Sequence, residues 1–301
     1  MNPVPPASAA ALPRELLKLL RPHQWVKNGF VFVGLLFSDV SDDWKLKGTV
    51  FLAAAGFCLL SSCVYILNDV LDRKADQAHP VKRKRPLASG TVGIGQAYAL
   101  AFVCGTAGLA LGAMASVSVV AILMAYLALN LAYSAGLKHI AILDVFIIAA
   151  GFMLRIFAGT WGVNIVPSYW LLLCGLLLTI FLGFAKRRAE LMVSDGNGPN
   201  GATQRPVLYD YSPALLDTMM SISAAGVIVS YSLYTVSPDT IALHRTDKLI
   251  YTLPFVLYGI FRYIFLLHRR RGEDPAWTLL TDAHLLIVGA LWLGVTLWLI
   301  W

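Results

Sequence analysis

The sequence is short of charge. Only 14% of its 301 residues are Asp, Glu, Lys or Arg, 58% are apolar, and the mean hydropathy is +0.68. Soluble domains carry about 25% charged and about 45–50% apolar residues. That imbalance excludes a disordered chain, a fibrous repeat and almost any ordinary soluble enzyme. No repeat of fixed period is present, and no soluble segment is long enough to stand alone. Cysteine is scarce as well. Cys58, Cys63, Cys104 and Cys174 all lie inside apolar runs, and no pair has metal-ligand spacing. They read as small buried hydrophobes, which argues against both a disulfide framework and a cysteine-metal site. The opening MNPVPPASAAALP has no basic region ahead of an apolar stretch, so a cleavable signal is not expected. Its prolines suggest a loose tail.

What the chain does have is long apolar runs. A helix needs about 20 mainly apolar residues to cross a bilayer. Nine runs qualify or nearly so, at 25–38, 48–67, 95–113, 116–134, 141–160, 168–185, 214–235, 249–268 and 282–301. The first is short and begins as an interfacial amphipathic helix from Leu12. The expected fold class is therefore all-α, a polytopic membrane protein with nine transmembrane helices. Residues 1–24 form a tail and interfacial segment, and 25–301 form one transmembrane catalytic domain.

Basic residues fall unevenly over the alternate loops. One side takes Arg14, Lys18, Arg21, Lys27, Arg73, Lys74, Lys82–Arg85, Lys138, Lys186–Arg188, Arg205 and Arg269–Arg271; the other takes only Lys45, Lys47, Arg245 and Lys248. The side rich in Lys and Arg is cytoplasmic. The N-terminus is then expected inside and, with an odd number of spans, Trp301 outside. Trp161, Tyr169, Trp170, Trp292 and Trp298 lie near the expected interfaces, as an aromatic belt requires. Ser194–Gln204 is rich in Gly, Asn and Ser and reads as a mobile loop.

The second span ends in Asn68-Asp69-Val70-Leu71-Asp72-Arg73-Lys74-Ala75-Asp76. If the helix continues, Asn68, Asp72 and Asp76 share one face at i, i+4 and i+8, with Asp69 beside them. Like charges repel, and each is costly to desolvate near a bilayer. An all-oxygen cluster suits Mg2+, which usually binds one or two carboxylates plus substrate phosphates. A solvated acidic loop balanced by Arg73 and Lys74 is the plain alternative. Lys82-Arg83-Lys84-Arg85 follows, and acids beside four bases suit a polyanion held partly by metal and partly by cations. The same basic run also suits a contact with anionic lipid headgroups. His79 is a candidate base or a structural loop histidine.

NDVLDRKAD followed by HPVKRKRPLASG resembles the first aspartate-rich motif, NDxxDxxxD, of the UbiA superfamily of intramembrane prenyltransferases. The resemblance runs from about Leu16 to the C-terminus. It implies nine helices around a lipid-accessible cavity, with Mg2+ on Asn68, Asp72 and Asp76 bridging a diphosphate and Asp69 beside them. The second motif departs from the majority pattern. Where an aspartate-rich cluster is usual, this chain has Gly183-Phe184-Ala185-Lys186-Arg187-Arg188-Ala189-Glu190. Together with RPHQWVKN at Arg21–Asn28 and YSAGLKH at Tyr133–His139, that segment resembles the decaprenyl-phosphate phosphoribosyltransferase branch.

That branch implies transfer of 5-phosphoribose from phosphoribosyl diphosphate to a polyprenyl phosphate, with release of diphosphate. The alternative is transfer of an isoprenyl group to an aromatic or haem acceptor, which favours a second carboxylate cluster. Asp72, Asp76, Arg83 and Arg85 are the expected catalytic residues. Lys27, Asn68, Asp69, Lys82, Tyr133, Lys138, Arg155, Lys186, Arg187 and Glu190 are the expected substrate contacts. Glu190 is placed either on a ribose hydroxyl or on Arg187. Asp144 and Arg155 are eleven residues apart, roughly 16 Å along a helix, so they cannot pair directly. Arg155 is expected to line the cavity, and Asp144 either joins the site or is structural. The expected partners are the two substrates and the membrane, with no nucleic acid and a possible homo-oligomer. The expected location is the plasma membrane, with the site on the cytoplasmic face.

Overall fold

A computed structural model describes residues 12–38, 43–78, 82–195, 206–269 and 281–300. The expectations for the tail up to residue 11, for His79, for the stretch after residue 195, for Arg205, Arg270 and Arg271, and for Trp301 lie outside the described residues. Every regular element among the described residues is helical. Among the described residues, eight helices are long and apolar enough to cross a membrane: Trp44–Leu71, Ile94–Ala115, Val117–Ala135, Leu143–Val163, Tyr169–Met192, Pro213–Val236, Lys248–Arg269 and Ala283–Ile300. They coincide with the second to ninth predicted spans. The chain is an all-α, multi-pass membrane protein.

The first predicted span is built differently. After α1 (Leu12–Leu20), Arg21 adopts a left-handed conformation (φ 51°), and Pro22–Phe32 forms a 3-10 helix of 11 residues that passes into α2, Val33–Leu36. The segment runs antiparallel along α3 (Trp44–Leu71). Arg21 reaches Asp69 at 2.6 Å, Trp25 Nε1 donates to Ser62 Oγ at 3.0 Å, Asn28 Nδ2 donates to Ser61 Oγ at 3.4 Å, and Phe32 meets Phe51 edge-on. A 3-10 helix repeats every three residues. Trp25, Asn28, Val31 and Gly34 therefore share one stripe, and Asn28 and Val31 are buried.

The chain divides into two compact units, Met1–Ala135 with Leu154–Val166, and Gly136–Met153 with Pro167–Trp301. The first unit holds α3, then α4 (Arg73–Ala78), α5 (Pro86–Ser89), α6 (Ile94–Ala115) and α7 (Val117–Ala135). Its core includes Val31, Phe57, Leu60, Leu123 and Tyr126. Helix starts are set by side-chain caps. Asp43 accepts from Leu46 N at 2.9 Å ahead of α3, and Ser116 accepts from Val119 N at 3.0 Å ahead of α7. Without water to drive association, spans gain by close backbone packing over small residues. A Cβ on Gly159 would lie 1.6 Å from the Val31 carbonyl oxygen. That clash is with backbone and cannot relax by a side-chain rotation. Gly159→Ala is expected to abolish recovery of folded protein, read as the loss of a monodisperse peak in detergent, while Gly289→Ala, which meets nothing within 4 Å, leaves it intact.

The second unit holds the first part of α8 (Leu143–Ala158), then α9 (Tyr169–Asp195), α10 (Pro213–Val236), α11 (Pro238–His244), α12 (Leu253–Arg269) and α13 (Ala283–Ile300). Val145, Phe181, Phe184, Leu216, Met220 and Tyr263 fill its core.

Candidate functional site

The acidic motif lies where α3 passes into α4. Asp72 N bonds to Asn68 O at 2.8 Å, and Asp76 N bonds to Asp72 O at 2.8 Å. The helical ladder therefore continues across the junction, and Asn68, Asp72 and Asp76 stack on one face as the spacing predicts. Asp69 and Asp76 are buried, and two arginines neutralise them. Arg85 Nη1 lies 3.1 Å from Asp69 Oδ1 and 2.7 Å from Asp76 Oδ2, and Arg21 takes the same Asp69 oxygen at 2.6 Å. Asn68 Oδ1 accepts from Ser134 Oγ at 2.6 Å.

The segment that follows is held against the motif. Arg73 Nε donates to Leu87 O at 3.0 Å, and Gln77 Nε2 donates to Ala88 O at 3.2 Å. Pro86, Leu87 and Ala88 are buried, so the turn that presents Arg85 is anchored in the core. Arg83 is exposed and Lys82 half-buried, both on a short 3-10 turn.

These donors fit a hard dication. All side-chain oxygens of the motif come from one carboxamide and three carboxylates in helical register. Among the described residues no group of three His, Cys, Asp or Glu side chains is arranged to hold a metal ion. Mg2+ usually takes only one or two carboxylates, with water and substrate phosphate as its other ligands.

The second unit gathers a different set. Asp144, in the first turn of α8, and Arg187 on α9 are both fully buried. Arg187 Nε donates to Asp144 Oδ2, and Arg187 Nη1 donates to Glu190 Oε2. Tyr211 Oη donates to the other Asp144 oxygen at 2.8 Å. Asp144 thus has Arg187 as its partner. Glu190 is placed on Arg187, one of its two expected positions. Lys186 and Lys138 are half-buried, and Arg188 pairs with Asp217 at 2.9 Å.

Arg155 is 4% exposed and lies inside the first unit. Its Nε donates to Asn28 Oδ1 at 2.7 Å and its Nη2 to Tyr126 Oη at 3.1 Å, and the guanidinium lies over the Tyr126 ring, 4.8 Å from its centre. Lys27 and Tyr133 are half-buried in the same unit.

Sequence reasoning missed the grip of Arg21 on Asp69, although Arg21 belongs to RPHQWVKN. It also missed Ser134, Asn28, Tyr126 and Tyr211. Nothing in the spacing of those residues marks them, because each partner is between 29 and 127 positions away.

Comparison with known proteins agrees with this architecture. The chain is 33% identical over 290 residues to the decaprenyl-phosphate phosphoribosyltransferase of Mycolicibacterium smegmatis, covering 93% of this chain and 90% of that protein. The protein of the same name from Corynebacterium glutamicum is 32% identical, covering 92% and 84%. In fold, a UbiA homolog from Archaeoglobus fulgidus, solved bound to GPP and Mg2+, superposes with a TM-score of 0.71 at 18% identity, covering 95% of this chain and 99% of that one. Residues 29–287 match the UbiA prenyltransferase family. By that match and by the relatives it resembles along nearly its whole length, the chain belongs to the UbiA prenyltransferase family.

Proposed function

We propose that this chain is a membrane transferase that moves 5-phosphoribose from phosphoribosyl diphosphate to a polyprenyl phosphate. One observation carries the reading: an intact acidic motif in helical register, paired with a Lys-Arg-Arg segment where a second acidic motif is usual. Two acidic motifs suit an isoprenyl diphosphate held by several metal ions. One acidic and one basic motif suit a donor carrying a further phosphate. The names of the relatives support the same reading.

In this reading the acceptor's phosphate oxygen attacks the anomeric carbon of ribose, and the bond from that carbon to the diphosphate oxygen breaks. A phosphate monoester is largely ionised near neutral pH, its second pKa being about 6, so no strong base is needed. The tasks left are orienting two polyanions and stabilising the departing diphosphate. Asn68, Asp72 and Asp76 would hold Mg2+, which when bound offsets charge on that diphosphate. Arg85 is fixed beside Asp69 and Asp76, where its cation adds to the same effect, with Arg83 and Lys82 on the adjoining turn. Lys186 contacts a phosphate of donor or acceptor, Arg187 backs Glu190, which faces the donor's ribose, and Lys27, Lys138, Tyr133 and Arg155 are further substrate contacts.

The length of the first segment supports the topology of this reading. A 3-10 helix rises about 2.0 Å per residue, so Pro22–Leu36 reaches about 28 Å, close to the thickness of a bilayer's hydrocarbon core. Lying antiparallel to α3, it makes a ninth crossing in fewer residues than an α-helix needs. We infer nine crossings; with the basic loops inside, the N-terminus and the acidic motif face the cytoplasm from the plasma membrane.

The test is an assay of purified protein with radiolabelled phosphoribosyl diphosphate. Label is expected in the lipid phase only when polyprenyl phosphate and Mg2+ are both present. No lipid label, with turnover of geranylgeranyl diphosphate instead, would replace this reading with isoprenyl transfer.

A further inference from the structure

The geometry points to Tyr211 as a positioning residue that, through Asp144 and the buried Arg187, holds Glu190 in the orientation in which it meets the phosphorylated sugar donor; this rests on the function proposed above.

Ile142 has a φ of 69°, a conformation rare for a β-branched residue. Leu143 N bonds to Ala141 O at 2.8 Å, closing a three-residue turn over it, and the carbonyl of Ile142 then accepts from Val145 N and Phe146 N to start α8. Strain of this kind persists only where the surroundings hold it. Here the holder is Tyr211. Its oxygen accepts the Ile142 N–H at 2.5 Å, and its own proton goes to Asp144 Oδ1 at 2.8 Å. One buried hydroxyl therefore joins the strained turn to the carboxylate two residues on.

Asp144 spends its second oxygen on Arg187 Nε, and Arg187 reaches Glu190 through Nη1. The chain of bonds runs from backbone to phenol to carboxylate to guanidinium to carboxylate. It fixes the planar fork of Arg187, which has no exposed surface, and through it the carboxylate of Glu190, which is 27% exposed. Burial pushes the Tyr211 phenol well above its usual range, and the Asp144 carboxylate pushes it further. Tyr211 accordingly stays a donor throughout the working pH range. Arg188, next in sequence, is tied to Asp217 instead, so the relay acts on Arg187 alone.

Tyr211→Phe keeps the ring and removes the relay. A purely structural role would lower the yield of active enzyme and leave both KM values unchanged. A positioning role is expected to raise KM about tenfold for one phosphorylated substrate and leave it unchanged for the other, with kcat for the remaining active enzyme within about twofold. A second readout needs no turnover. Phenylglyoxal labelling followed by mass spectrometry is expected to show Arg187 protected in the native protein and modified about tenfold faster in the variant, while Arg155 stays protected in both.

Unchanged Arg187 labelling together with unchanged KM values would overturn the inference. If the variant folds poorly, Ile142→Gly with Tyr211→Phe relaxes the turn, since glycine accepts positive φ freely, and the same two readouts apply. A native protein that never uses phosphoribosyl diphosphate removes the functional reading, yet the labelling comparison still decides the role of Tyr211.

Discussion

Asp72→Asn and Asp76→Asn each reduce Mg2+-dependent turnover by about a thousandfold, the scale on which losing one preorganised charge-stabilising contact acts, while the protein stays folded in detergent. The two halves of that expectation have separate causes. An amide is isosteric with a carboxylate and still accepts a hydrogen bond, so the 2.7 Å contact from Arg85 to residue 76 survives in weaker form. The ladder through residues 68, 72 and 76 is made of backbone bonds and is untouched. What disappears is negative charge for a dication. Raising Mg2+ should restore part of the rate in Asp72→Asn. Near-normal rates in both variants would remove the metal assignment altogether.

Asp144→Ala is expected to lower stability sharply. It leaves Arg187, with no exposed surface, as a buried cation short of its main counter-charge. Breaking a buried pair in this one-sided way costs about 3–5 kcal/mol. Glu190 offsets only part of it, because its side chain is 27% exposed and meets Arg187 through a different nitrogen. The check is thermal unfolding in detergent. The informative comparison is Asp144→Leu with Arg187→Met, because replacing both members of a buried pair with apolar groups is often neutral. The double variant is expected to regain most of the lost melting temperature and to stay inactive. Recovery of both would mean that the pair serves packing alone.

The spans were readable from composition because lipid leaves a chain few choices: backbone polar groups must be satisfied internally, and helices do that. The four-residue spacing of Asn68, Asp72 and Asp76 was equally plain, since it needs only a continuing helix. Two features lay beyond such a reading. The segment from Pro22 to Phe32 follows a period of three, whereas the expected helical stripe repeats every 3.6 residues, so its inward residues, Trp25, Asn28 and Val31, did not register as a face. The partners of Arg155 and Asp144 were hidden for another reason. Each charge looked alone on its own helix, and the residues that satisfy it, Asn28, Tyr126, Arg187 and Tyr211, arrive from distant stretches of chain. Pairing by sequence distance could show only that Asp144 and Arg155 do not meet.

The stretched segment also acts as a ruler. Its side chains advance by about a third of a turn per residue, and Asn28 is pinned by Arg155 while Arg21 is pinned by Asp69. Adding or deleting a single residue between these two anchors would swing Arg21 about 120° off its carboxylate, with no loop in between to absorb the error. The number of residues from Arg21 to Asn28 is thus under tighter constraint than the identity of several of them, such as the solvent- or lipid-facing Val26 and Gly29.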